Sequence, residues 1–164
     1  MPKLTLFCIL LCLCVGCDQS TKYTARHFLE GQPALNCMGD LFRLSYVENK
    51  GAFLSAGAHM TENARNGIFI VAVSIFIAAF SAYVICNIKK FNGLSVSSSA
   101  LIIGGGLGNW IDRCINQGAV IDFINFGIGS ARTGIFNVAD IAIMVGVFVF
   151  ARFHMCPKHP APPP

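Results

Sequence analysis

The stretch NWIDRCINQGAVIDFINF, residues 109–126, carries Asp112 and Asp122, and Asp140 follows inside the next apolar run. The chain has only 8 acidic residues in 164, so three of them in or beside apolar segments demand a reason. An ionised carboxylate at membrane depth is costly, and such residues usually serve function. Two carboxyls held close together resist double ionisation and tend to share one proton. Such a pair suits peptide hydrolysis: the ionised member takes a proton from attacking water, and the protonated member donates to the carbonyl oxygen. The pattern N-x-x-D occurs twice, as Asn109 with Asp112 and Asn137 with Asp140. A spacing of three puts each pair on one helical face, with the asparagines as orienting hydrogen-bond donors. A structural reading stands beside this one. Asp112 precedes Arg113 and could simply form an ion pair or cap a helix end. Asp122, read as lying in a connecting loop among large apolar residues, could be a plain loop acid. Asp140 has no basic neighbour in its helix.

Apolar runs must position these groups. More than half of the chain is hydrophobic, only 12% is charged, and the mean hydropathy is +0.61. A soluble domain of this size carries about 25% charged residues, so the expected solvent is a bilayer. Four spans are predicted, at about residues 4–23, 67–87, 94–111 and 135–153, each near the roughly 20 residues that cross as helix. The first is short unless it continues through DQSTKY, which puts Asp18 and Lys22 at i and i+4 near its outer end. Lys3, Lys89, Lys90, Arg152 and Lys158 flank one side without acids, which marks the cytoplasm and places both termini there. The outer loop 24–66 is too long for a simple link. Its LFRLSYV alternates like a strand, and TENAR could open a short helix into the second span. The tail 154–164, rich in proline, reads as a solvated stub. The expected whole is one membrane domain: an all-α membrane protein, a four-transmembrane-helix bundle with a small extracytoplasmic β element.

Several functions are excluded. With a net charge of +4 and no basic tract, nucleic-acid binding has little support. The lone C-x-x-C of Cys14 and Cys17 has no second pair and no nearby histidine, so neither zinc nor redox chemistry is expected. Whether Cys37 and Cys114 pair is not legible from their positions. The glycines of GGGLGN follow no strand and precede no Lys-Ser/Thr, which rules out a nucleotide loop; Gly104 and Gly108 fit close helix packing in lipid instead. A proton-coupled transporter subunit using the intramembrane carboxylates is the principal rival, though transporter sites lie near mid-membrane and these acids cluster toward one face. A lipoprotein processed at Cys17 is a third possibility, weakened by the three later spans.

The blocks DQSTK (18–22), NKGAF (49–53), GGGLGNWIDR (104–113), AVIDFINF (119–126) and FNVADIAIMVG (136–146) together resemble the lipoprotein signal peptidases, the type II signal peptidases of bacteria, over nearly the whole chain. The resemblance implies an aspartic endopeptidase of the bacterial inner membrane, active near its outer face. It would cut the signal peptide from prolipoproteins just before a cysteine already carrying diacylglycerol. By motif it implies Asp122 and Asp140 as the catalytic pair. Asp18, Lys22, Asn49, Gly51, Gly108, Asn109, Asp112, Arg113 and Asn137 then support the site or bind substrate. It implies no metal and no cofactor, lipidated precursors and membrane lipid as partners, and a monomer.

Overall fold

The computed structural model describes residues 2–50 and 61–155. The long helix α1 (Lys3–Leu29) is followed by β1 (Leu35–Cys37) and β2 (Phe42–Asn49). Then come α2 (Glu62–Asn87), α3 (Gly93–Ile115), β3 (Val120–Ile128), β4 (Ala131–Arg132) and α4 (Val138–Phe150). A π-helical turn, Ala151–Met155, extends α4. Gly51, the NKGAF loop beyond residue 50 and the tail from residue 156 lie outside the described residues.

Among the described residues, α1, α2 from Gly67 to Asn87, and α3 are long and apolar enough to cross a membrane. α4 has 13 residues, about 20 Å of helix, so the fourth expected span is shorter than its apolar run. The cause is local. Asn137 caps the helix in a reciprocal box with Asp140, which fixes its start at Val138 although the apolar run begins earlier. α1 departs in the other direction and runs on to Leu29, beyond the expected end near residue 23. TENAR forms no separate short helix: Glu62 begins a helix continuous with the second apolar run.

α3 is the central element, packed on α1, α2 and α4. Its face is built from small residues, because only they let helix backbones approach closely. A Cβ on Gly105 would lie 2.5 Å from the Ala139 carbonyl oxygen of α4, and one on Gly104 would lie 2.8 Å from Cys14 Cβ of α1. The serines in α3 are hidden without penalty, since Ser98 and Ser99 donate to the Leu94 and Ser95 carbonyls of their own helix, both at 2.7 Å. Phe7, Val84, Phe91, Val96, Ala100 and Ile103 form the apolar core between α1, α2 and α3. The outward faces are also apolar: Val71, Ile75, Phe76, Met144 and Phe148 are all exposed. Buried polar groups with apolar residues outside invert the pattern of a water-soluble domain and suit a lipid surround.

The sheet has the order β1-β2-β3-β4, with every pair antiparallel. β2 pairs with β3 from Phe42↔Phe126 to Asn49↔Val120, with an irregularity between Leu44 and Val47. Ile121 and Phe123 of β3 pack on Ala25 and Leu29 of α1. The extension of α1 is therefore the surface on which the sheet rests. Phe136 bridges to Ile124, tying the segment that enters α4 to the same strand.

Candidate active site

Lys22 organises the first cluster of charges. One turn of α1 brings its ammonium to Asp18 Oδ2 at 2.8 Å. It also reaches Asp112 Oδ2 at 3.0 Å and donates to Asn109 Oδ1 at 2.9 Å. Asp18, Lys22 and Asp112 are each no more than 1% exposed. The other oxygens are occupied as well. Asp18 Oδ1 accepts the Ala139 N–H in the first turn of α4 at 2.9 Å, where an acid is favoured by the helix dipole. Asp112 Oδ2, besides Lys22, accepts the Ile121 N–H at 3.0 Å. Gln19 donates to Asp112 Oδ1 at 3.0 Å and to the Gly108 carbonyl at 3.1 Å. A Cβ on Gly108 would run into the Asp18 carboxylate, so this glycine is set by close approach.

Asp122 and Asp140 are placed differently. Both border a cavity of about 820 Å³ that Arg113 and Asn49 also line. Asp122 projects from β3, a strand rather than the expected loop, and sits opposite Val47 of β2. Asp140 stands in the first turn of α4. Asn137 joins them: its Nδ2 donates to Asp122 Oδ1 at 2.7 Å, while its Oδ1 accepts the Asp140 N–H at 2.9 Å. Asp140 Oδ2 accepts the Asn137 N–H in return, at 3.1 Å. Asn109 closes the network by donating to Asp140 Oδ1 at 2.9 Å and accepting from Asn137 Nδ2 at 3.0 Å. Asn49 Nδ2 reaches Asp122 Oδ2 at 2.9 Å. Burial pushes the Asp122 carboxyl up from 3.8 to about 6; the Asn49 hydrogen bond opposes this and the charge of Asp140 adds to it.

Of the three aspartates considered together, Asp122 and Asp140 border the cavity, and Asp112 turns to Lys22. It does not pair with its neighbour Arg113, because adjacent residues on a helix point in different directions. Among the described residues Arg113 donates to the Asn109 carbonyl of its own helix, at 3.5 Å, and it lines the cavity. Gln19, a donor to both Asp18 and Asp112, went unnoticed between two charged residues of DQSTK; its position one residue from Asp18 was the available signal. Cys37 and Cys114 are both free and exposed.

Comparison with known proteins bears on this arrangement. The family model for signal peptidase (SPase) II matches residues 10–155. A lipoprotein signal peptidase of Borrelia duttonii (strain Ly) is 32% identical over 158 residues, covering 92% of this chain and 89% of that protein. One from Francisella tularensis subsp. mediasiatica (strain FSC147) is 36% identical over 148 residues, covering 90% and 89%. A solved structure described as a bacterial membrane enzyme, obtained by the in meso method, shares the fold with a TM-score of 0.75 at 24% identity, covering 89% of this chain and 90% of its own.

Proposed function

The chain belongs to the signal peptidase II family and is a peptidase that removes signal peptides from lipoproteins; from that premise we propose that Asp122 and Asp140 are its catalytic pair. The observation that carries this reading is the sorting of the buried acids. Asp18 and Asp112 share Lys22 as a counter-charge, whereas Asp122 and Asp140 border one cavity and hold opposite ends of a single amide, Asn137.

The pair holds one proton. A water between the two carboxyls loses a proton to the ionised one as its oxygen attacks the scissile carbonyl carbon. The protonated partner donates to the carbonyl oxygen, giving a neutral tetrahedral diol. A proton then passes to the amide nitrogen, the C–N bond breaks, and the pair returns to its starting state with acid and amine products. Arg113 supplies a positive charge on the wall where the carbonyl oxygen becomes electron-rich. Asn109 and Asn137 keep the two carboxyls from swinging away, and Asn49 holds Asp122 from the β2 side. Asp18, Lys22, Gly108 and Asp112 form the scaffold that fixes the distance between α1, α3 and α4. These steps use carboxyls and water, so no metal or cofactor is invoked.

Four membrane crossings, with α4 and its π-helical turn as the last, put both termini in the cytoplasm of a bacterial inner membrane and the cavity near the outer face. The basic residues Lys3, Lys89, Lys90 and Arg152 support that orientation. The substrate is a prolipoprotein cut just before its diacylglyceryl cysteine, and the enzyme acts as a monomer. Placement of the cut site by its own acyl chains makes the encounter nearly intramolecular. The test is digestion of a diacylglyceryl precursor peptide by the purified protein, read by intact mass. A product beginning with the lipidated cysteine is expected. Cleavage at another bond, or equal cleavage of the unlipidated peptide, overturns the substrate assignment.

A further inference from the structure

The end of the bundle away from the carboxyl pair gathers cations. Phe7 of α1, Phe91 of the turn between α2 and α3, and Phe150 of α4 meet in the apolar core, with the Phe91 and Phe150 rings 6.1 Å apart. Each brings basic neighbours with it. Lys3 stands one helical turn before Phe7, Lys89 and Lys90 directly precede Phe91, and Arg152 follows Phe150 by two residues. Lys3 Nζ donates to the Lys89 carbonyl oxygen at 2.8 Å, which pins its ammonium to the backbone of the lysine pair. All four cations are exposed, and no acidic residue stands in any of the three segments. Two helices start and two end at this level, so their dipoles offset each other and the field is that of the four side chains. Like charges drawn together without an acid repel, and an anion among them relieves that repulsion.

We propose that Lys3, Lys89, Lys90 and Arg152 form a binding site for the phosphate headgroup of an anionic phospholipid in the cytoplasmic leaflet. The leaflet follows from the proposed orientation of the chain, whereas the site rests on the four cations themselves. Two features favour a lipid over a soluble anion. Apolar side chains border the cations and are turned outward: Leu4 is 51%, Ile85 53%, Leu94 50% and Phe153 45% exposed. The Arg152 guanidinium lies over the Phe153 ring, 5.5 Å from its centroid. Charge and exposed hydrocarbon thus meet at one level, as they do where a headgroup joins its acyl chains. Basic groups between helices on the cytoplasmic side hold such headgroups, and long lysine and arginine stems carry the charge to the phosphate while their methylenes stay on the apolar side. A zwitterionic headgroup brings its own cation and leaves the repulsion among the four unrelieved. The bound lipid bridges α1, the α2–α3 turn and α4 at the end opposite the cavity, so it stabilises the packing of the bundle.

The experiment uses the full chain in nonionic detergent micelles doped with dioleoylphosphatidylglycerol or, in parallel, dioleoylphosphatidylcholine, with thermal unfolding followed by Trp110 fluorescence. Phosphatidylglycerol at about 100 times its dissociation constant raises the midpoint by about 5–10 °C. Phosphatidylcholine raises it far less, and free glycerol phosphate leaves it unchanged. Equal shifts with the two lipids overturn the site, and an equal shift with glycerol phosphate overturns the assignment to a lipid. In Lys3→Gln/Lys89→Gln/Lys90→Gln/Arg152→Gln the difference between the two lipids falls to about a quarter or less, and a difference that persists overturns the site. Arg26→Gln/Arg43→Gln, which removes two cations from the sheet side of the molecule, keeps the wild-type difference. A second measurement uses the unaltered protein and follows acetylation of Lys3, Lys89 and Lys90 by a water-soluble reagent, read by peptide mass. Phosphatidylglycerol slows it by about fivefold or more relative to phosphatidylcholine, and equal rates overturn the site even if the quadruple variant does not fold. Labelling of these lysines by a membrane-impermeant amine reagent on intact spheroplasts would instead overturn the proposed orientation, so the two failures are distinct.

Discussion

Replacing Lys22 with methionine separates scaffold from chemistry. The Lys22 ammonium is the only cation touching Asp18 and Asp112 among the described residues, at 2.8 and 3.0 Å, and all three side chains are no more than 2% exposed. Methionine matches the length of the lysine stem but leaves two carboxylates in the interior without a counter-charge. Removing one partner from a buried ion pair costs about 3–5 kcal/mol. The remaining donors, Ala139 N–H to Asp18 and Ile121 N–H to Asp112, hold the loss within that range rather than doubling it. At roughly 2–4 °C per kcal/mol for a chain of this size, the unfolding midpoint drops on the order of 10 °C. The assay is thermal unfolding in detergent followed by fluorescence of Trp110, the only tryptophan, which reports α2–α3 contact through its 2.8 Å bond to Ser74 Oγ. The triple variant Asp18→Asn/Lys22→Met/Asp112→Asn removes the stranded charges and recovers most of the loss. An unchanged midpoint in Lys22→Met, or a triple variant less stable than the single one, refutes the assignment of this cluster to the scaffold.

Three further outcomes follow from the geometry. Gly108→Ala drives a methyl into the Asp18 carboxylate and lowers stability by about 1–3 kcal/mol, measurable as a lower denaturation midpoint. Arg113→Ala lowers kcat about 100-fold by removing the positive wall of the cavity, with the unfolding midpoint retained; a change in KM alone would contradict that role. Asp122, with its carboxyl pushed up to about 6, loses its proton as pH rises through that value, so kcat/KM falls on the alkaline side if the pair must hold one proton. Because the Asn49 hydrogen bond lowers that value, Asn49→Ala moves the alkaline limb to higher pH, and a limb that stays put or moves down argues against the assignment.

Some of this was legible in the amino-acid sequence and some was not, for physical reasons. The Asp18–Lys22 contact is an i,i+4 relation within one helix, so spacing alone predicted it. The packing role of Gly104 and Gly108 was readable for the same reason, since small residues four apart mark a close helix face. β3 was missed because AVIDFINF is buried on both faces through Phe123, which erases the alternation that betrays a half-exposed strand. The partner of Asp112 could not be found locally: Lys22 lies on another helix, and the adjacent Arg113 was a misleading neighbour. The late start of α4 depends on the Asn137–Asp140 capping box, which hydropathy does not register. The convergence of Asp122 and Asp140 needed the β2–β3 pairing and the Phe136–Ile124 bridge, neither of which has a period in the sequence.

The most direct measurement of the central claim is single-turnover cleavage of a diacylglyceryl precursor peptide by wild type, Asp122→Asn and Asp140→Asn. Trp110 fluorescence unfolding is run on each to establish that the protein is folded. Both variants are predicted to lose cleavage by about 10⁴-fold or more, since each removes a proton acceptor or donor from a two-carboxyl reaction, while keeping a cooperative unfolding transition. Cleavage at the wild-type rate by either folded variant would contradict the claim that these two carboxyls share the work.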